Sequence, residues 1–361
     1  MAAINRRTVI AWVRLTALAL SATAIIASSG CGRTATTSSE PVASPPVVQS
    51  LPSFASAVSK ALPCICYVYV ETNQTDASGN PASGIGSGVI LSSDGWILTN
   101  KHVVNDYKSV EVTLYDRHSY AVSKVVVDDI ADLAAVKIEK QGLPSLPIGN
   151  PDSVKVGDWV IAIGHALGIS PAEGGPTVTE GVVSSLGRSF TMNDIPYYDL
   201  IQTSAAINPG NSGGALMNSA GELVGLNSAG VPSAQGIGYA INIGTAKHVF
   251  DDLVKYGKPR HPFLGVRVTD VSPEAARNYH VPFESALVDY VEAGSPAEAA
   301  GLRVGDAIVG LSGENVTSAA DVMKVLWRHE SGDKSTLIFL HRGLKNSQDI
   351  QFVDRPQTDS I

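Results

Sequence analysis

The sequence predicts a mainly β protein with two folded domains, and three observations support this fold class. A chain of 361 residues is too long for one ordinary hydrophobic core, because single cores stop growing below that length. The 34 glycines and 20 prolines divide the chain into short segments. The apolar runs between them, such as residues 88–91 and 154–164, have the length of strands. Regular short strands of this kind favour a barrel or a sandwich.

Charge and composition exclude several classes of protein. Lys and Arg total 26 against 34 Asp and Glu, which gives a net charge of -8 at pH 7. Proteins that bind the phosphate backbone of nucleic acids usually carry a basic surface, so nucleic acid is not an expected partner. A hydrophobic content of 44% is typical of a globular chain and not of a disordered one.

Residues 1–31 predict an export segment. Arginines precede an apolar run at residues 15–27, which has about the length of a signal-peptide core and is short for a membrane span. Small residues then lead to Cys31, as in the lipobox of bacterial lipoproteins, although Ser28 stands where that motif usually has leucine. We expect Cys31 to be lipidated. An uncleaved anchor that starts near Ile10 is the alternative, and both place the protein at a membrane on its extracytoplasmic side.

Residues 32–53 predict a flexible linker between the export segment and the first domain. The segment consists mostly of Thr, Ser, Pro and Ala and has almost no large apolar residue. Such a composition cannot bury enough surface to fold.

Cys64 and Cys66 are the remaining cysteines. Two ligands cannot form a tetrahedral zinc site, so no metal is expected there. Within a strand, residues two apart point to the same face. Burial as small apolar side chains is the preferred interpretation, and a local disulfide is the alternative.

The first folded domain is predicted at residues 54–257. Its strands end before a helix at residues 245–256, in which Val249, Leu253 and Tyr256 recur at helical spacing. The Gly-Lys-Pro sequence that follows stops this helix and marks the domain boundary.

The second folded domain is predicted at residues 258–355. Strands are expected at residues 263–270 and 286–291, and a helix at residues 318–329. Apolar residues four apart in this helix give it a broad apolar face, which is typical of core packing.

A serine between glycines is the first candidate for catalysis. Ser212 follows Gly210 and Asn211 and precedes two further glycines. A nucleophilic serine needs open approach and nearby backbone amides that stabilise an oxyanion, and glycines permit both. Glycines also surround serines in ordinary loops, so only the partners of Ser212 can decide between a catalytic and a structural role.

His102 and Asp132 are the candidate partners. His102 follows a predicted strand, and a neutral imidazole is the usual base for a serine. Asp132 opens an apolar strand, from which its carboxylate can orient the imidazole and stabilise the charged form. The chain order His, Asp, Ser is that of the chymotrypsin-like fold and differs from the order in subtilisin and the α/β-hydrolases.

The chain resembles the HtrA (Deg) family of serine proteases in five segments, at residues 86–90, 99–104, 132–137, 202–216 and 236–241. This resemblance implies a chymotrypsin-like double β-barrel for the first domain. It implies His102 as general base, Asp132 as the residue that orients it and Ser212 as nucleophile. The backbone amides of Gly210 and Ser212 would form the oxyanion hole.

The resemblance also implies a substrate-binding surface, in which residues 226–229 pair with the substrate as an extra strand. The implied substrate-binding residues are Ile207, Leu226, Asn227, Ser228, Ala229, Gly230 and Ile237. No acid is evident in the primary pocket, which favours small or medium apolar residues over Lys or Arg. Two positions depart from the family pattern: Ser204 replaces a common aspartate, and His165 with Ala166 replaces an Asn-Pro pair. Neither departure touches the triad.

Residues 293–297 and 300–308 resemble the PDZ domain of the same family, a small barrel capped by helices. The resemblance implies that a peptide C-terminus binds successive backbone amides and adds as a strand beside residues 266–269. The implied residues are Phe263, Leu264, Gly265 and Val266 in the carboxylate-binding loop, and Val322 and Leu326 on the facing helix.

The resemblance therefore implies an exported, ATP-independent serine endopeptidase that degrades unfolded or damaged proteins without a metal or other cofactor. Its expected partners are unfolded polypeptides, peptide C-termini and two further copies of the chain in a homotrimer. A non-catalytic holdase or scaffold and a simple secreted digestive peptidase are the alternatives. The complete triad argues against the first alternative, and the PDZ domain argues against the second.

Overall fold

A computed structural model of the chain describes residues 53–75, 79, 81–192, 195–230 and 236–355. The predicted export segment, Cys31 and all of the predicted linker except Ser53 lie outside these residues. No helix within the described part of the chain is long and apolar enough to cross a membrane.

The first six strands close into an antiparallel barrel with the order β1-β2-β3-β6-β5-β4. These strands are β1 (Ile65–Thr75), β2 (Pro81–Ile90), β3 (Trp96–Asn100), β4 (Tyr107–Thr113), β5 (Ser119–Asp128) and β6 (Leu133–Ile138). Burial alternates where a strand has one face in the core, as at Val110 and Val112, whose neighbour Glu111 is exposed. Each barrel end carries connecting loops, and the loops at one end carry His102 and Asp132.

The next six strands close into a second antiparallel barrel with the order β10-β11-β12-β9-β8-β7. These strands are β7 (Trp159–Gly164), β8 (Thr177–Met192), β9 (Ile195–Thr203), β10 (Ala215–Asn218), β11 (Leu223–Gly230) and β12 (Gly238–Asn242). Helix α1 (Ala55–Ala61) precedes the first barrel, and helix α2 (Ile243–Tyr256) follows the second. The predicted helix at residues 245–256 is confirmed and begins two residues earlier, after the Asn242 side chain caps the Gly244 amide.

The second domain is a sheet with the order β14-β15-β16-β18-β19, in which β17 pairs with β16, beside a separate β13-β20 ribbon. The strands are β13 (Pro262–Phe263), β14 (Val266–Asp270), β15 (Ala286–Val291), β16 (Ala307–Leu311), β17 (Glu314–Asn315), β18 (Lys334–His341), β19 (Leu344–Gln351) and β20 (Val353–Asp354). The helices are α3 (Pro273–Tyr279), α4 (Pro296–Ala299) and α5 (Ala319–Leu326).

The strand predicted at residues 286–291 is confirmed, whereas the continuous strand predicted at residues 263–270 is wrong. Leu264 and Gly265 interrupt it, because Gly265 adopts a φ of 83° that breaks an extended strand. A Cβ at Gly265 would lie 2.1 Å from the Cβ of Ser295. The helix predicted at residues 318–329 is shorter than expected: it begins after the Ser318 cap and ends at Leu326.

The second domain packs against both barrels. The Trp327 ring, just after α5, meets the Tyr198 ring of β9 edge-on with centroids 5.8 Å apart. It also lies 6.1 Å from the His261 ring, and His261 Nε2 is 2.7 Å from the buried carboxylate of Asp128 in β5. Trp327 itself is buried, so this aromatic contact is a buried part of the domain interface.

The two cysteines lie on either side of the start of β1. Cys64 belongs to a 3₁₀ turn (Leu62–Cys64) and Cys66 to the strand, and their side chains join different apolar clusters. The predicted burial is confirmed, and burial raises the pKa of the Cys64 and Cys66 thiols to about 11 and about 12. The expectation of a shared strand face is wrong, because Cys64 precedes the strand.

Candidate active site

The candidate active site lies where the two barrels meet. His102 is in a 3₁₀ turn (Lys101–Val103) that follows β3, and Asp132 comes directly before β6. Ser212 lies in the loop between β9 and β10 of the second barrel. The amide of Ser87 in β2 donates to the backbone carbonyl of Ser212 at 2.8 Å, which fixes the serine loop to the first barrel.

Asp132 holds His102 at two points. Its Oδ1 accepts from the His102 amide at 2.9 Å, and its Oδ2 lies 2.7 Å from His102 Nδ1. Asp132 is 1% exposed, and its carbonyl accepts from the Lys101 amide and the Asn100 side chain. Since the carboxylate accepts from Nδ1, this nitrogen carries the hydrogen, and Nε2 remains free to take a proton.

Two further hydroxyls approach the Asp132 carboxylate. The Tyr197 hydroxyl and the Ser228 hydroxyl each lie 3.4 Å from Asp132 Oδ2. Burial, together with the nearby Asp132 charge, raises the pKa of Tyr197, so this hydroxyl stays protonated and can donate. Sequence reasoning missed Tyr197 in this role, since a tyrosine in a strand carries no signal of a contact 65 residues away.

The Ser212 hydroxyl donates to the Ser228 carbonyl at 2.6 Å. Ser228 therefore connects the nucleophile candidate, through its carbonyl, with Asp132, through its own hydroxyl. The three predicted triad residues and Ser228 belong to one network, in which His102 contacts Asp132 directly. To exchange a proton with His102, the Ser212 hydroxyl has to leave the Ser228 carbonyl.

The backbone before Ser212 is oriented by a contact from the segment after β7. The Leu167 amide donates to the Pro209 carbonyl at 2.6 Å. Because a trans peptide plane points its C=O and N–H in opposite directions, the Gly210 N–H faces away from Leu167. Gly210 has a φ of 95°, and a Cβ there would lie 2.2 Å from the His165 carbonyl. Only glycine fits at this position.

His165, one of the departures from the family pattern, is connected by hydrogen bonds to the loop that carries Gly210. Its amide donates to the Ser87 hydroxyl at 2.8 Å, and that hydroxyl donates to the Gly210 carbonyl at 2.8 Å. The His165 ring is buried edge-on to Tyr67, and burial lowers the pKa of His165, so the ring is neutral. Ser204, the other departure, accepts from the Val182 amide at 3.0 Å and joins β9 to β8.

The predicted substrate-binding residues lie on and beside β11. Residues 226–230 belong to this strand, which pairs with β12 from Gly225 to Gly230. On its other side, β10 pairs with it as far as Leu226, and Gly213 and Gly214 before β10 exchange backbone hydrogen bonds with Asn227. Leu226, Asn227 and Ser228 are buried. Ile207 is half-buried, and a Cβ at Gly238 would lie 2.5 Å from its side chain. Ile207 and Ile237 thus both adjoin Gly238 of β12, which pairs with Gly230.

The predicted peptide-binding loop of the second domain has a defined turn. The Leu264 carbonyl accepts from the Ala297 amide, and the Gly265 carbonyl accepts from the Glu292 amide. These contacts follow Phe263 and lead into Val266, the first residue of β14, which lies at one edge of its sheet. On helix α5, Val322 and Leu326 are both buried among the core residues.

No group of three or more His, Cys, Asp or Glu side chains within the described residues has the arrangement of a metal site.

Two closed barrels that share a serine, histidine and aspartate network, followed by a small β domain, define the class of trypsin-like serine peptidases with an added domain. Comparison with protein families agrees with this class. The profile described as "Trypsin-like peptidase domain" matches residues 86–226, and the profile described as "PDZ domain" matches residues 262–351.

Curated proteins and solved structures identify the family. A "Probable periplasmic serine endoprotease DegP-like" of Chlamydia trachomatis is 39% identical over 280 residues, which are 76% of this chain and 55% of that protein. A protein of the same description from Pseudomonas putida (strain GB-1) is 35% identical, over 83% of this chain and 64% of its own length. The solved structure "HtrA-type protease AlgW with tripeptide" is 34% identical, with a TM-score of 0.69, and covers 86% of this chain and 99% of its own.

The chain belongs to the HtrA family of serine proteases, and the predicted double barrel with a PDZ domain is confirmed. It spans 55% and 64% of the lengths of the two curated relatives described above.

Proposed function

We propose that this chain is a serine endopeptidase in which His102, Asp132 and Ser212 act through an acyl-enzyme. The observation that carries the proposal is the hydrogen-bonded path from Ser212 to Ser228, from Ser228 to Asp132, and from Asp132 to His102. Nucleophilic serine catalysis needs this combination of groups within reach of each other.

In the proposed first step, the Ser212 hydroxyl turns from the Ser228 carbonyl to His102. It gives its proton to Nε2 while Oγ bonds to the carbonyl carbon of the scissile peptide. Asp132, which holds Nδ1–H, stabilises the imidazolium that forms. The C–N bond then breaks, the leaving amine takes the proton from Nε2, and an ester to Ser212 remains. Water attacks this ester with His102 as base, which releases the acid and restores the serine.

The amides of Gly210 and Ser212 are proposed to stabilise the oxyanion of both steps. The contact between Leu167 and Pro209 supports this role, because it turns the Gly210 N–H away from the segment after β7. A donor that is fixed before the reaction starts needs no reorganisation as charge develops.

The proposed substrates are unfolded or damaged polypeptides, because an extended segment can pair with the part of β11 that follows Asn227. Ile207, Gly230 and Ile237 would border the primary pocket and favour small or medium apolar side chains. The open edge of β14 beside the Gly265 turn supports binding of peptide C-termini by strand addition.

Location and assembly are also proposals. The curated relatives described above are named periplasmic, which supports an extracytoplasmic location. Attachment to a membrane through the N-terminal segment, with lipid on Cys31, and assembly into a homotrimer are inferred from the sequence. Mass spectrometry of the native N-terminus tests the lipid, and analytical ultracentrifugation tests the trimer.

The decisive experiment is incubation of the full-length protein with unfolded casein. We expect Ser212→Ala to lower turnover by about 10⁶-fold while it leaves circular dichroism unchanged, because triad members act as a unit. Ser204→Ala is the matched control, since it removes a hydroxyl from the same strand-to-loop region and should retain activity. Equal cleavage by the parent and Ser212→Ala would refute the proposal. Suppression of casein aggregation without cleavage by the parent would instead support a holdase.

A further inference from the structure

Three aliphatic residues are exposed beside the serine loop. Leu167 is 75% exposed, and Ile85 and Ile169 are each 39% exposed. Single exposed apolar residues are ordinary on protein surfaces. These three, however, belong to two adjoining segments, because a Cβ at Gly168 would lie 3.0 Å from Ile85 Cδ1. We call Ile85, Leu167 and Ile169 the aliphatic patch.

Strand β2, which carries Ile85, also contacts the segment that carries the proposed base. Gly86, the next residue of β2, lies so close to Val103 that a Cβ there would come within 2.5 Å of the Val103 side chain. Val103 directly follows His102. Ser87, one residue further along β2, donates its amide to the Ser212 carbonyl. Strand β2 therefore passes both His102 and Ser212.

The Leu167 side of the patch adjoins the proposed oxyanion hole through the hydrogen bond to the Pro209 carbonyl. Leu167 has a φ of 59°, a left-handed conformation that leucine rarely adopts. Its surroundings therefore impose this conformation, and strain of this kind is concentrated at functional sites. Leu167 therefore combines a disfavoured backbone conformation with a large apolar side chain that is three-quarters exposed.

Strand β11 borders Ser212 on the other side, because the Ser212 hydroxyl donates to the Ser228 carbonyl. In the proposed mechanism the acyl part of the substrate pairs with β11. The leaving amine takes its proton from His102 and so departs past the segment that packs on β2. The chain that follows the scissile bond then meets the aliphatic patch.

We propose that Ile85, Leu167 and Ile169 form a subsite for the first residues on the leaving-group side of the scissile bond, and that this subsite selects apolar side chains. The inference rests on the proposed peptidase function and adds a second determinant of specificity to it. Together with an apolar primary pocket, it directs cleavage to bonds flanked on both sides by apolar residues. Such segments are buried in folded proteins and become accessible when a protein unfolds.

The test uses internally quenched peptides that share one acyl-side sequence and carry either two leucines or two serines directly after the scissile bond. We expect kcat/KM to be about tenfold higher for the leucine peptide, the lower end of what an apolar contact contributes to discrimination. This ratio, measured with the full-length protein, does not depend on the overall level of activity.

Two variants test whether the aliphatic patch causes the difference in kcat/KM between the leucine and serine peptides. Leu167→Asn removes the aliphatic side chain and keeps the backbone amide, and asparagine tolerates a positive φ. Ile85→Thr keeps the β-branched shape that suits a strand. Each should reduce the ratio from about tenfold to about threefold. The matched control is Leu344→Asn, which replaces a 72% exposed leucine in the second domain and should leave the ratio unchanged.

A ratio near one in the parent, or an unchanged ratio in both variants, overturns the subsite. If both variants alter the oligomeric state in analytical ultracentrifugation while the ratio persists, the patch is an interface between copies and the subsite is again overturned. Absence of any Ser212-dependent cleavage of either peptide refutes the proposed function itself, whereas Ser212-dependent cleavage without a leucine preference refutes only this inference.

Discussion

Replacement of Asp199 by asparagine should stabilise the protein at pH 8 and leave its stability near pH 4 almost unchanged. Asp199 lies in β9 and is only 6% exposed. Burial raises the pKa of its carboxyl from 3.8 to about 6, although the positive charges of Lys324 and Arg328 in the second domain oppose this rise.

The direction of this pH dependence follows from the number of protons that Asp199 binds in the folded and the unfolded protein. Between pH 3.8 and about 6 the folded protein binds more protons at Asp199 than the unfolded chain does, so the free energy of unfolding falls as pH rises through this window. A pKa difference of about 2 corresponds to about 3 kcal/mol, at about 1.4 kcal/mol for each pH unit. Above pH 6 the full destabilisation is present, and the neutral amide of asparagine removes it.

Asparagine is suited to this test because it tolerates the φ of 48° at position 199 and retains an oxygen that can accept from the Thr245 hydroxyl. Thermal unfolding followed by circular dichroism between pH 4 and pH 8 measures the effect. We expect Tm at pH 8 to rise by about 6 °C, at about 2 °C for each kcal/mol. Asp251→Asn, at an exposed helix position, is the control and should shift Tm by less than about 1 °C. Parallel pH profiles for the parent and Asp199→Asn would refute the reasoning.

Three further changes test the site and the domain interface. Gly210→Ala should lower kcat by about 10²- to 10³-fold with little change in KM, because the new Cβ would meet the His165 carbonyl and displace the proposed oxyanion donor. An unchanged kcat would contradict the proposed role of this amide. Tyr197→Phe removes a hydroxyl near Asp132 and should lower the free energy of unfolding in urea by about 1 kcal/mol. The loss of kcat/KM should stay below tenfold. A loss as large as that of the triad variants would show that Tyr197 does more than support Asp132. Trp327→Ala should destabilise the docked second domain by about 3–5 kcal/mol, because a large buried ring is removed from the interface. Limited proteolysis of this variant should then cut between the domains. An unchanged digestion pattern would show that other contacts hold the domains together.

Local sequence patterns predict those structural features that depend only on residues close together in the chain. Helix α2 follows from the spacing of its apolar residues and from Gly257, which adopts a left-handed conformation at its end. The positions of His102 after one strand and of Asp132 before another are also predicted from local patterns, whereas their contact depends on the pairing of β3 with β6. The break at Gly265 had a local signal as well, because a glycine inside a strand pattern often marks an irregularity.

Contacts between distant segments carry no such signal. Ser228 approaches Asp132 across 96 residues, and Ser87 reaches the Gly210 carbonyl across 123 residues. Both contacts depend on how the two barrels pack, which neither spacing nor propensity encodes. The electrostatic environment of Asp199 is equally non-local, because Lys324 and Arg328, whose charges act on its carboxyl, belong to the second domain.

The barrels must stay docked for the site to exist, since each contributes only part of it. His102 and Asp132 come from the first barrel, whereas Ser212 and Ser228 come from the second. The hydrogen bond from the Ser228 hydroxyl to Asp132 crosses the barrel interface. The hydrogen bond from the Ser87 amide to the Ser212 carbonyl crosses it as well. One apolar cluster continues from the first barrel through the second and into the PDZ domain. A change that loosens this shared core should therefore separate Ser212 from His102 before either barrel has to unfold, because closed barrels keep their own strand pairing.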